Sequence, residues 1–187
     1  MENTLEAVID VDGVRFDVEV TETGISALRL PPLRPEARGL PVAPGVRTTI
    51  ECPAADGVRA DHLELASRYL SALLHGRDSG VVPTVDLRGL RPFTVRVLEV
   101  VRRVGWGEVR SYAEVAIAAG SPRGARAAGQ ALARNPVPML IPCHRVVRSD
   151  GTSGGWSASP GWKECLLSLE GSSRAVSDAG NTVFTVR

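Results

Sequence analysis

The sequence predicts an α+β protein, with a small three-stranded sheet in its N-terminal part and a mostly helical C-terminal part. Three observations support this fold class. Apolar and polar residues alternate between residues 5 and 30, as is typical of half-buried strands. After residue 91 the apolar residues recur at helical spacing instead. A stretch rich in Pro and Gly, residues 31–60, separates the two patterns.

The alternating residues predict a hairpin followed by a third strand. The first two runs flank a tight turn at Asp12-Gly13, and a second turn at Thr23-Gly24 leads to the third run, residues 25–30. We therefore expect one small antiparallel sheet, joined to the next element by a long irregular connection.

A helix is predicted after this connection. Asp61 and Glu64 form a capping pair in front of an apolar face, and Gly76 ends the helix. The segment VVPTVDL, residues 81–87, predicts a last strand. The N-terminal part contains no obvious chemistry.

The C-terminal part begins with a helix over residues 93–104, which Gly105 closes. Ser111 and Glu114 then form a capping box in front of an apolar run that ends at Gly120. These two elements precede the segment in which the candidate functional residues lie.

A second short helix follows, with Ser121 as N-cap and Pro122 in its first turn, and it ends at Asn135-Pro136. Two short helices joined by a tight turn are a helix-turn-helix candidate. The second helix is rich in Gly and Ala, so it can approach a groove closely. The same small residues also suit close packing between helices.

The segment Val137–Ile141 is predicted to be extended and buried, because prolines surround it and its side chains are aliphatic. Cys143 and His144 follow directly. A last helix is predicted from Ser159-Pro160 to Glu170-Gly171, and residues 172–187 form a tail with a short strand at TVFTV.

The composition is that of a soluble globular protein. The chain has 187 residues, of which 43% are hydrophobic and 23% charged, so it can bury a substantial core. No window is apolar over the length that a bilayer requires, and the N-terminal residues lack the apolar run of a secretory signal. The sequence therefore predicts a cytoplasmic protein that has no membrane partner.

Three cysteines, Cys52, Cys143 and Cys165, lie far apart in the chain. Their spacing forms neither a disulfide framework nor the Cys-x-x-Cys pair of a zinc site. We therefore expect free thiols in a reducing compartment, with no metal and no cofactor.

Charge is distributed unevenly along the chain. Residues 1–90 contain nine Arg and fourteen acidic residues, whereas residues 91–150 contain ten Arg and four acidic residues. A basic second half fits either a polyanion partner or solvated surface arginines, and charge alone does not separate the two interpretations.

The adjacent Cys143 and His144 are the first candidates for chemistry. An apolar setting raises the pKa of a thiol, so a nucleophilic cysteine there needs a base or a positive neighbour. Neighbouring residues of an extended segment point to opposite faces, so we expect a water between the two side chains. Glu170 is the candidate that orients His144, because a carboxylate in the last turn of a helix opposes the helix dipole unless a cation or imidazole contacts it. A small core cysteine beside a structural histidine is the alternative interpretation.

The segment IPCHRVV, preceded by NP and followed by K, LL and EG, resembles the signature of O6-alkylguanine-DNA alkyltransferases, also called methylated-DNA–protein-cysteine methyltransferases. The resemblance extends from Phe93 to Gly171 through GEVRSYAEVA, GARAAGQALARNPVP and KECLLSLEG. It implies an RNase H-like N-terminal domain over residues 1–89, a winged helix-turn-helix-like domain over residues 90–171, and a tail over residues 172–187.

The resemblance also implies a reaction. Such a protein binds duplex DNA in the minor groove without sequence preference, flips an O6-alkylguanine out of the stack, and transfers the alkyl group irreversibly to its own cysteine. It acts once, as a monomer and without a cofactor. In a prokaryote it would lie in the cytoplasm with the nucleoid.

The matched motifs assign catalytic roles by position. Cys143 is the alkyl acceptor, and His144 takes its proton through a water. Glu170 orients His144, and Tyr112 protonates the leaving guanine. Asn135 shapes the turn that holds the second helix against the site.

Arg126 would enter the base stack and fill the gap left by the flipped base. The DNA-binding residues implied by the resemblance are Arg126, Ser111, Ala125, Ala127 and Gly129. Pro138 and Arg145 belong to the matched blocks as structural support, and Pro138 is also expected to line the substrate pocket.

The chain departs from the family in the loop after the cysteine. Members usually have Gly-Tyr-x-Gly-Gly, whereas this chain has Gly155-Trp156-Ser157-Ala158-Ser159. The substrate-pocket residues implied are Trp156, Pro138, Ser157, Ala158 and Ser159. A tryptophan in place of the tyrosine would narrow the pocket, and the loss of paired glycines would change how the loop bends.

Three other functions stay open at this stage. An alkyltransferase-like protein would bind the lesion with little or no transfer, because of the altered loop. A thiol hydrolase would use Cys143 and His144 but leaves Tyr112, Arg126 and the basic second half unexplained. A DNA-binding regulator would bind with sequence preference and transfer nothing.

Overall fold

The computed structural model of the protein describes residues 4–33 and 47–171, together with the backbone of Arg174–Val176 and Thr182–Phe184. The chain divides into two compact units. The first consists of residues 1–88 and 136–140, and the second of residues 89–135 and 141–187. The domain limits expected from the resemblance, 1–89, 90–171 and 172–187, stay a prediction.

The first unit contains an antiparallel sheet covered by one long helix. Its elements are β1 (Leu5–Val11), β2 (Val14–Val20), β3 (Ile25–Arg29), β4 (Thr48–Glu51) and α1 (Gly57–Leu74), and the strand order is β3-β2-β1-β4. The core combines alternate strand residues such as Ile9 and Phe16 with helix residues such as Leu63 and Leu70, which are all buried. This burial accounts for the alternation in the sequence, because one face of each strand is covered.

The predicted tight turn is present. Asp12 and Gly13 have φ values of 51° and 87°, the left-handed backbone that a two-residue hairpin turn requires. Gly24 has φ 151°, and a Cβ atom there would come within 2.8 Å of the Thr84 backbone. The second turn therefore depends on glycine for space as well as for backbone conformation.

Three details of the first unit were predicted wrongly. The sheet has a fourth strand, β4, whose β-branched residues Thr48–Ile50 lie in the stretch expected to be irregular. Residues 81–87 form only a single bridge, between Val85 and Ile25, and Pro83 within them has no amide hydrogen for a ladder. Helix α1 begins earlier than Asp61, because the Asp56 side chain caps it by accepting a hydrogen bond from the Arg59 amide.

The second unit is mostly helical. Its elements are α2 (Pro92–Arg102), β5 (Arg110–Ser111), α3 (Tyr112–Ala118), α4 (Ala125–Leu132), a 3-10 helix (Cys143–Arg145), β6 (Val146–Val147), α5 (Trp162–Leu169), β7 (Arg174–Val176) and β8 (Thr182–Phe184). The last two strands pair antiparallel, so the tail expected to hold one short strand contains two. The mixed α/β architecture confirms the predicted fold class.

A short parallel pairing of two strands positions the segment that carries Cys143. Strands β5 and β6 pair Arg110 with Val146 and Ser111 with Val147. Behind this pairing, Val109, Val147 and Leu167 form a buried cluster. The start of α3 is therefore fixed beside the segment that carries Cys143.

The predicted capping box is confirmed. The Ser111 hydroxyl accepts a hydrogen bond from the Glu114 amide at 3.2 Å, and the Ser111 amide donates to the Glu114 carboxylate at 2.7 Å. The start of α4 differs from the prediction. Ser121 is not its N-cap, because residues 121–124 close a turn through the Gly124 amide and the Ser121 carbonyl, and the helix begins only at Ala125.

The segment before Cys143 is buried, as expected, but it is not extended. Met139 has φ 72°, which turns the chain, and Cys143 to Arg145 form a 3-10 helix rather than a strand. The last helix also begins later than Ser159-Pro160, at Trp162, after Gly161 with φ 82°. Its end at Glu170 agrees with the prediction.

Candidate active site

Cys143 is the first residue of the 3-10 helix, and its side chain is buried with 4% exposure. The Trp156 indole N–H donates a hydrogen bond to Cys143 Sγ at 3.0 Å. Burial raises the pKa of the Cys143 thiol, while hydrogen bonds from Trp156 and Asn135 and the charge of Lys163 act in the opposite direction. The thiol is therefore protected from water but surrounded by groups that favour its ionised form.

His144 lies next to Cys143 and has no exposed surface. Its Nε2 atom is 2.9 Å from Glu170 Oε1, and the Glu170 carboxylate is buried as well. Glu170 lies at the C-cap of α5, where the negative end of the helix dipole disfavours a carboxylate. The contact with His144 was predicted from this unfavourable position, and the structure brings the two residues together.

Arg145 completes the cluster around Glu170. Its Nε and Nη2 atoms donate to the two carboxylate oxygens at 2.8 Å and 2.9 Å, and its Nη1 atom donates to the Val104 carbonyl at 2.6 Å. The guanidinium also lies over the Trp106 ring, 5.9 Å from its centroid. The sequence indicated Arg145 as structural support only and did not predict this bidentate pair with Glu170.

The charges of this cluster favour a neutral imidazole. Burial by itself would raise the pKa of Glu170, but its contacts with His144 and Arg145 lower that pKa to about 2. Burial lowers the pKa of His144, although Glu170 partly opposes the shift. Because Arg145 already balances the carboxylate, His144 does not need a proton for charge balance, and its Nε2–H donates to Glu170.

His144 Nδ1 is buried and has no hydrogen-bond partner among the described residues. It is thus the ring nitrogen that can accept a proton.

Lys163, the chain's sole lysine, is buried with 1% exposure. Its Nζ atom donates to the Val146 carbonyl at 2.6 Å and lies 5.7 Å from the centroid of the Tyr112 ring. Burial lowers the pKa of Lys163 to about 8, and the neighbouring Cys143 acts against that shift. Sequence reasoning missed this residue. The helical spacing indicated its burial, because Lys163 precedes Leu166 by three residues and Leu167 by four and so shares the apolar face of the helix.

Tyr112 is the first residue of α3, directly after its N-cap. Its hydroxyl donates to the Gly155 carbonyl at 3.4 Å, so the phenol lies beside the loop that carries Trp156. Burial and the neighbouring Cys143 raise the pKa of Tyr112, which keeps the phenol protonated at neutral pH. A protonated phenol next to a thiol can act as a proton donor.

Asn135 follows α4 and is half-buried. Its Nδ2 atom donates to the Ile141 carbonyl at 3.2 Å, which ties the end of the helix to the segment that leads into Cys143. Hydrogen bonding from the Asn135 side chain also lowers the pKa of the Cys143 thiol. The Asn135 side chain therefore hydrogen-bonds both the segment before Cys143 and the thiol, while its role in shaping the turn stays a prediction.

The residues expected to bind DNA do not share one environment. Arg126 and Ala127 are exposed on α4, and Ala125 is half-buried. A Cβ atom on Gly129 would lie 3.7 Å from the Tyr112 ring, so this position faces the site. The Ser111 side chain is buried, and its hydroxyl is engaged with Glu114.

The loop expected to form the substrate pocket lies partly against the thiol. Trp156 contacts Cys143, while Ser157 is exposed and donates to the Ala133 carbonyl at 3.2 Å. Ala158 is exposed and Ser159 is buried. Pro138 is buried in the segment 136–140, which belongs to the first compact unit and is described with it.

Residues 4–33 and 47–171 contain no group of three or more His, Cys, Asp or Glu side chains placed to hold a metal ion. Within those same ranges, no helix has the length and apolar character to cross a membrane. Cys52, Cys143 and Cys165 are all free thiols.

Comparison with known proteins shows which family the chain resembles. A family model described as "6-O-methylguanine DNA methyltransferase, DNA binding domain" matches residues 92–172. A methylated-DNA–protein-cysteine methyltransferase of Methanothermobacter thermautotrophicus is 47% identical over 88 residues, which cover 46% of this chain and 48% of the relative. The chain thus spans about half the length of that relative.

Two further relatives extend the similarity beyond the second unit. A methylated-DNA–protein-cysteine methyltransferase of Methanosarcina barkeri is 38% identical over 125 residues, covering 65% of this chain and 76% of the relative. The crystal structure of Mycobacterium tuberculosis OGT in complex with DNA superposes with a TM-score of 0.63 at 28% identity, covering 83% of this chain and 86% of that chain. Because the similarity covers most of these relatives and includes the segment with Cys143, the chain belongs to the methylated-DNA–protein-cysteine methyltransferase family.

Proposed function

We propose that this protein transfers an alkyl group from O6-alkylguanine in duplex DNA to its own Cys143, irreversibly and once per molecule. The observation that carries the proposal is the buried arrangement of Cys143, His144 and Glu170, in which a thiol neighbours an imidazole held by a carboxylate. An activated nucleophile of this kind requires a base and a group that orients the base.

The transfer begins with loss of the thiol proton. His144 Nδ1 takes this proton through an intervening water, and Glu170 stabilises the imidazolium that results. The thiolate attacks the alkyl carbon, so an S–C bond forms as the C–O6 bond breaks. The electron pair of the broken bond passes to the guanine, and the product on the protein is a neutral thioether.

Tyr112 supplies the proton that the leaving guanine needs. Its phenol lies beside the loop that carries Trp156, and burial and the charge of Cys143 raise its pKa, so it stays protonated. Protonation of the guanine ring makes it a better leaving group, which a positioned acid can accelerate by about two to four orders of magnitude. Asn135 holds the end of α4 against the site.

DNA binding is assigned to α3 and α4, which we propose as a helix-turn-helix. Arg126 is exposed near the start of α4 and would enter the stack in place of the flipped base. The small residues Ala125, Ala127 and Gly129 suit an approach to the narrow minor groove. Phosphate contacts of the basic second half would supply binding without sequence preference. Ser111 is proposed as a DNA-binding residue from the matched motif alone, since its hydroxyl and its amide are both engaged with Glu114.

The loop from Gly155 to Ser159 would form one wall of the pocket, with Trp156 nearest the sulfur. Pro138 is proposed as a further pocket residue on the basis of the matched motif.

The reaction needs no cofactor and no second copy. The reacting groups Cys143, His144, Glu170 and Tyr112 all come from one chain, which supports a monomer. Free thiols fit a reducing compartment, and a DNA substrate fits the cytoplasm with the nucleoid of a prokaryote.

Intact-mass measurement after incubation with an O6-methylguanine duplex tests this function. We expect a gain of one methylene, located on Cys143 by peptide mapping. Cys143→Ser should lose the gain but retain duplex binding, whereas the matched control Cys165→Ser should keep the gain. Lesion binding without any mass gain would instead favour an alkyltransferase-like protein. Sequence-selective binding would favour a regulator, and repeated ester turnover a thiol hydrolase.

A further inference from the structure

The loop after the cysteine places an indole donor against the sulfur, in addition to the Asn135 side chain that also hydrogen-bonds the thiol. The indole N–H of Trp156 lies 3.0 Å from Cys143 Sγ, and the side chain is half-buried. Two hydrogen bonds fix the loop on either side of it. Ser157 Oγ donates to the Ala133 carbonyl at 3.2 Å, and Ser153 Oγ donates to the Glu164 carboxylate at 2.8 Å. The loop that carries the indole is therefore anchored on both sides by hydrogen bonds that do not involve the sulfur.

The chemistry of this contact is directional. An indole N–H can donate a hydrogen bond but cannot accept one. The sulfur must therefore be the acceptor, and a thiolate accepts far better than a neutral thiol does. His144 cannot supply this donor, because its Nε2–H already donates to Glu170.

Burial makes the donor important. Cys143 is almost completely shielded from water, so its thiolate loses the solvent hydrogen bonds that would stabilise it in solution. Hydrogen bonds to a buried charge are stronger than those between neutral groups. The Trp156 hydrogen bond favours the ionised sulfur against the effect of burial.

We propose that Trp156 is a catalytic residue, whose indole N–H stabilises the Cys143 thiolate by a direct hydrogen bond and is released when the sulfur becomes a thioether. The proposal rests on the proposed function only in taking Cys143 as the nucleophile. A tryptophan at this place thus does more than narrow the pocket, which was the role expected from the sequence.

Release follows from the product. Once the S–C bond has formed, the sulfur is neutral and bonded to two carbons, and a thioether is a weak acceptor. The indole N–H then loses most of the interaction that holds it against Sγ. Alkylated and free protein should consequently differ at this one tryptophan.

The pH dependence of iodoacetamide labelling at Cys143, followed by peptide mass spectrometry, tests the proposal without any DNA. Trp156→Phe keeps an aromatic ring and removes the N–H. We expect it to raise the apparent pKa of Cys143 by about one unit, so that the thiolate fraction below that pKa falls about tenfold. The labelling rate at the high-pH plateau reports access to the thiol separately. Ser153→Ala removes one anchor of the loop but leaves the Ser157 anchor and the indole donor in place, so it should leave the apparent pKa unchanged.

A measurement on the wild-type protein covers the case in which Trp156→Phe does not fold. The chain has three tryptophans, and each gives one indole N–H signal in a 15N-edited NMR spectrum. Alkylation of Cys143 by iodoacetamide should shift one of the three strongly. An unchanged apparent pKa in folded Trp156→Phe, or three unmoved indole signals, would overturn the proposal. A pKa shift in a protein that fails to repair methylated DNA would uphold it while refuting the proposed function.

Discussion

The carboxylate of Glu170 accepts hydrogen bonds from both the Arg145 guanidinium, at 2.8 Å and 2.9 Å, and the His144 imidazole, at 2.9 Å. The buried Glu170 carboxylate is therefore shared by Arg145, which is permanently charged, and His144, which can gain or lose a proton. The permanent cation lets the base remain neutral until it receives a proton.

Glu170→Gln should destabilise the protein strongly. The substitution leaves the Arg145 guanidinium buried without a counter-charge, a change that costs about 3–5 kcal/mol of unfolding free energy in buried ion pairs. Glu164→Gln, the same change at an exposed position of α5, should alter stability by less than about 0.5 kcal/mol. Urea denaturation of both variants checks this. Similar stability of the two variants would contradict the buried network.

The stability of the protein should fall as the pH decreases below about 6.5. Burial lowers the pKa of His144 below its ordinary value of 6.5, so the unfolded chain binds a proton that the folded protein resists. This group contributes a slope of at most about 1.4 kcal/mol per pH unit in that window. His144→Gln should flatten the dependence between pH 7 and pH 5 and leave the slope above pH 7 as it is. Urea midpoints across this range measure the effect, and an unflattened slope would rule out a neutral buried imidazole.

Tyr112→Phe should slow alkyl transfer by about two orders of magnitude without weakening duplex binding, because the phenol acts as the acid. Tyr69→Phe, in α1 of the first unit, is the matched control and should react at the wild-type rate. Single-turnover transfer from an O6-methylguanine duplex gives the rate constants. A wild-type rate for Tyr112→Phe would remove the phenol from the mechanism.

Arg126→Ala should reduce transfer from duplex DNA more than transfer from a free alkylated base, because only the duplex leaves a gap in the stack. Arg123→Ala removes the same charge from an exposed position just before α4 and serves as the control. We expect it to weaken binding through lost phosphate contacts without a selective loss on duplex. Equal losses on duplex and free base for Arg126→Ala would exclude insertion into the stack.

Bulky adducts should react more slowly than methyl. The Trp156 indole lies in contact with Cys143 Sγ and is larger than the tyrosine that family members usually have there. Rates on duplexes that carry O6-benzylguanine or O6-methylguanine compare the two substrates directly. A faster benzyl reaction would refute a narrowed pocket.

The sequence predicted the elements whose signals are local. The alternation of β1 and β2, the turn at Asp12-Gly13 and the capping box of Ser111 depend on a few neighbouring residues, and all are present. Strand β4 was missed because its partner β1 lies about forty residues earlier in the chain. Pairing over that distance leaves no trace in a short window of sequence.

The candidate site was predicted where a motif or an anomaly pointed to it. Cys143, His144 and Glu170 were identified in this way, and the structure brings His144 and Glu170 together. Arg145 and Lys163 were not, because their roles depend on burial, which a charged residue does not reveal in a sequence. The left-handed backbone of Met139 was equally hidden, since nothing about methionine favours that conformation.

The buried Lys163 has a practical consequence for work with this protein. Lys163 carries the one side-chain amine of the sequence. The residue is 1% exposed, and its amine donates a hydrogen bond to the Val146 carbonyl. Reagents that label or cross-link lysines will therefore find almost nothing to attack while the protein is folded. Modification of that amine would report unfolding of the region around the thiol, so a common reagent becomes a sensor of local opening.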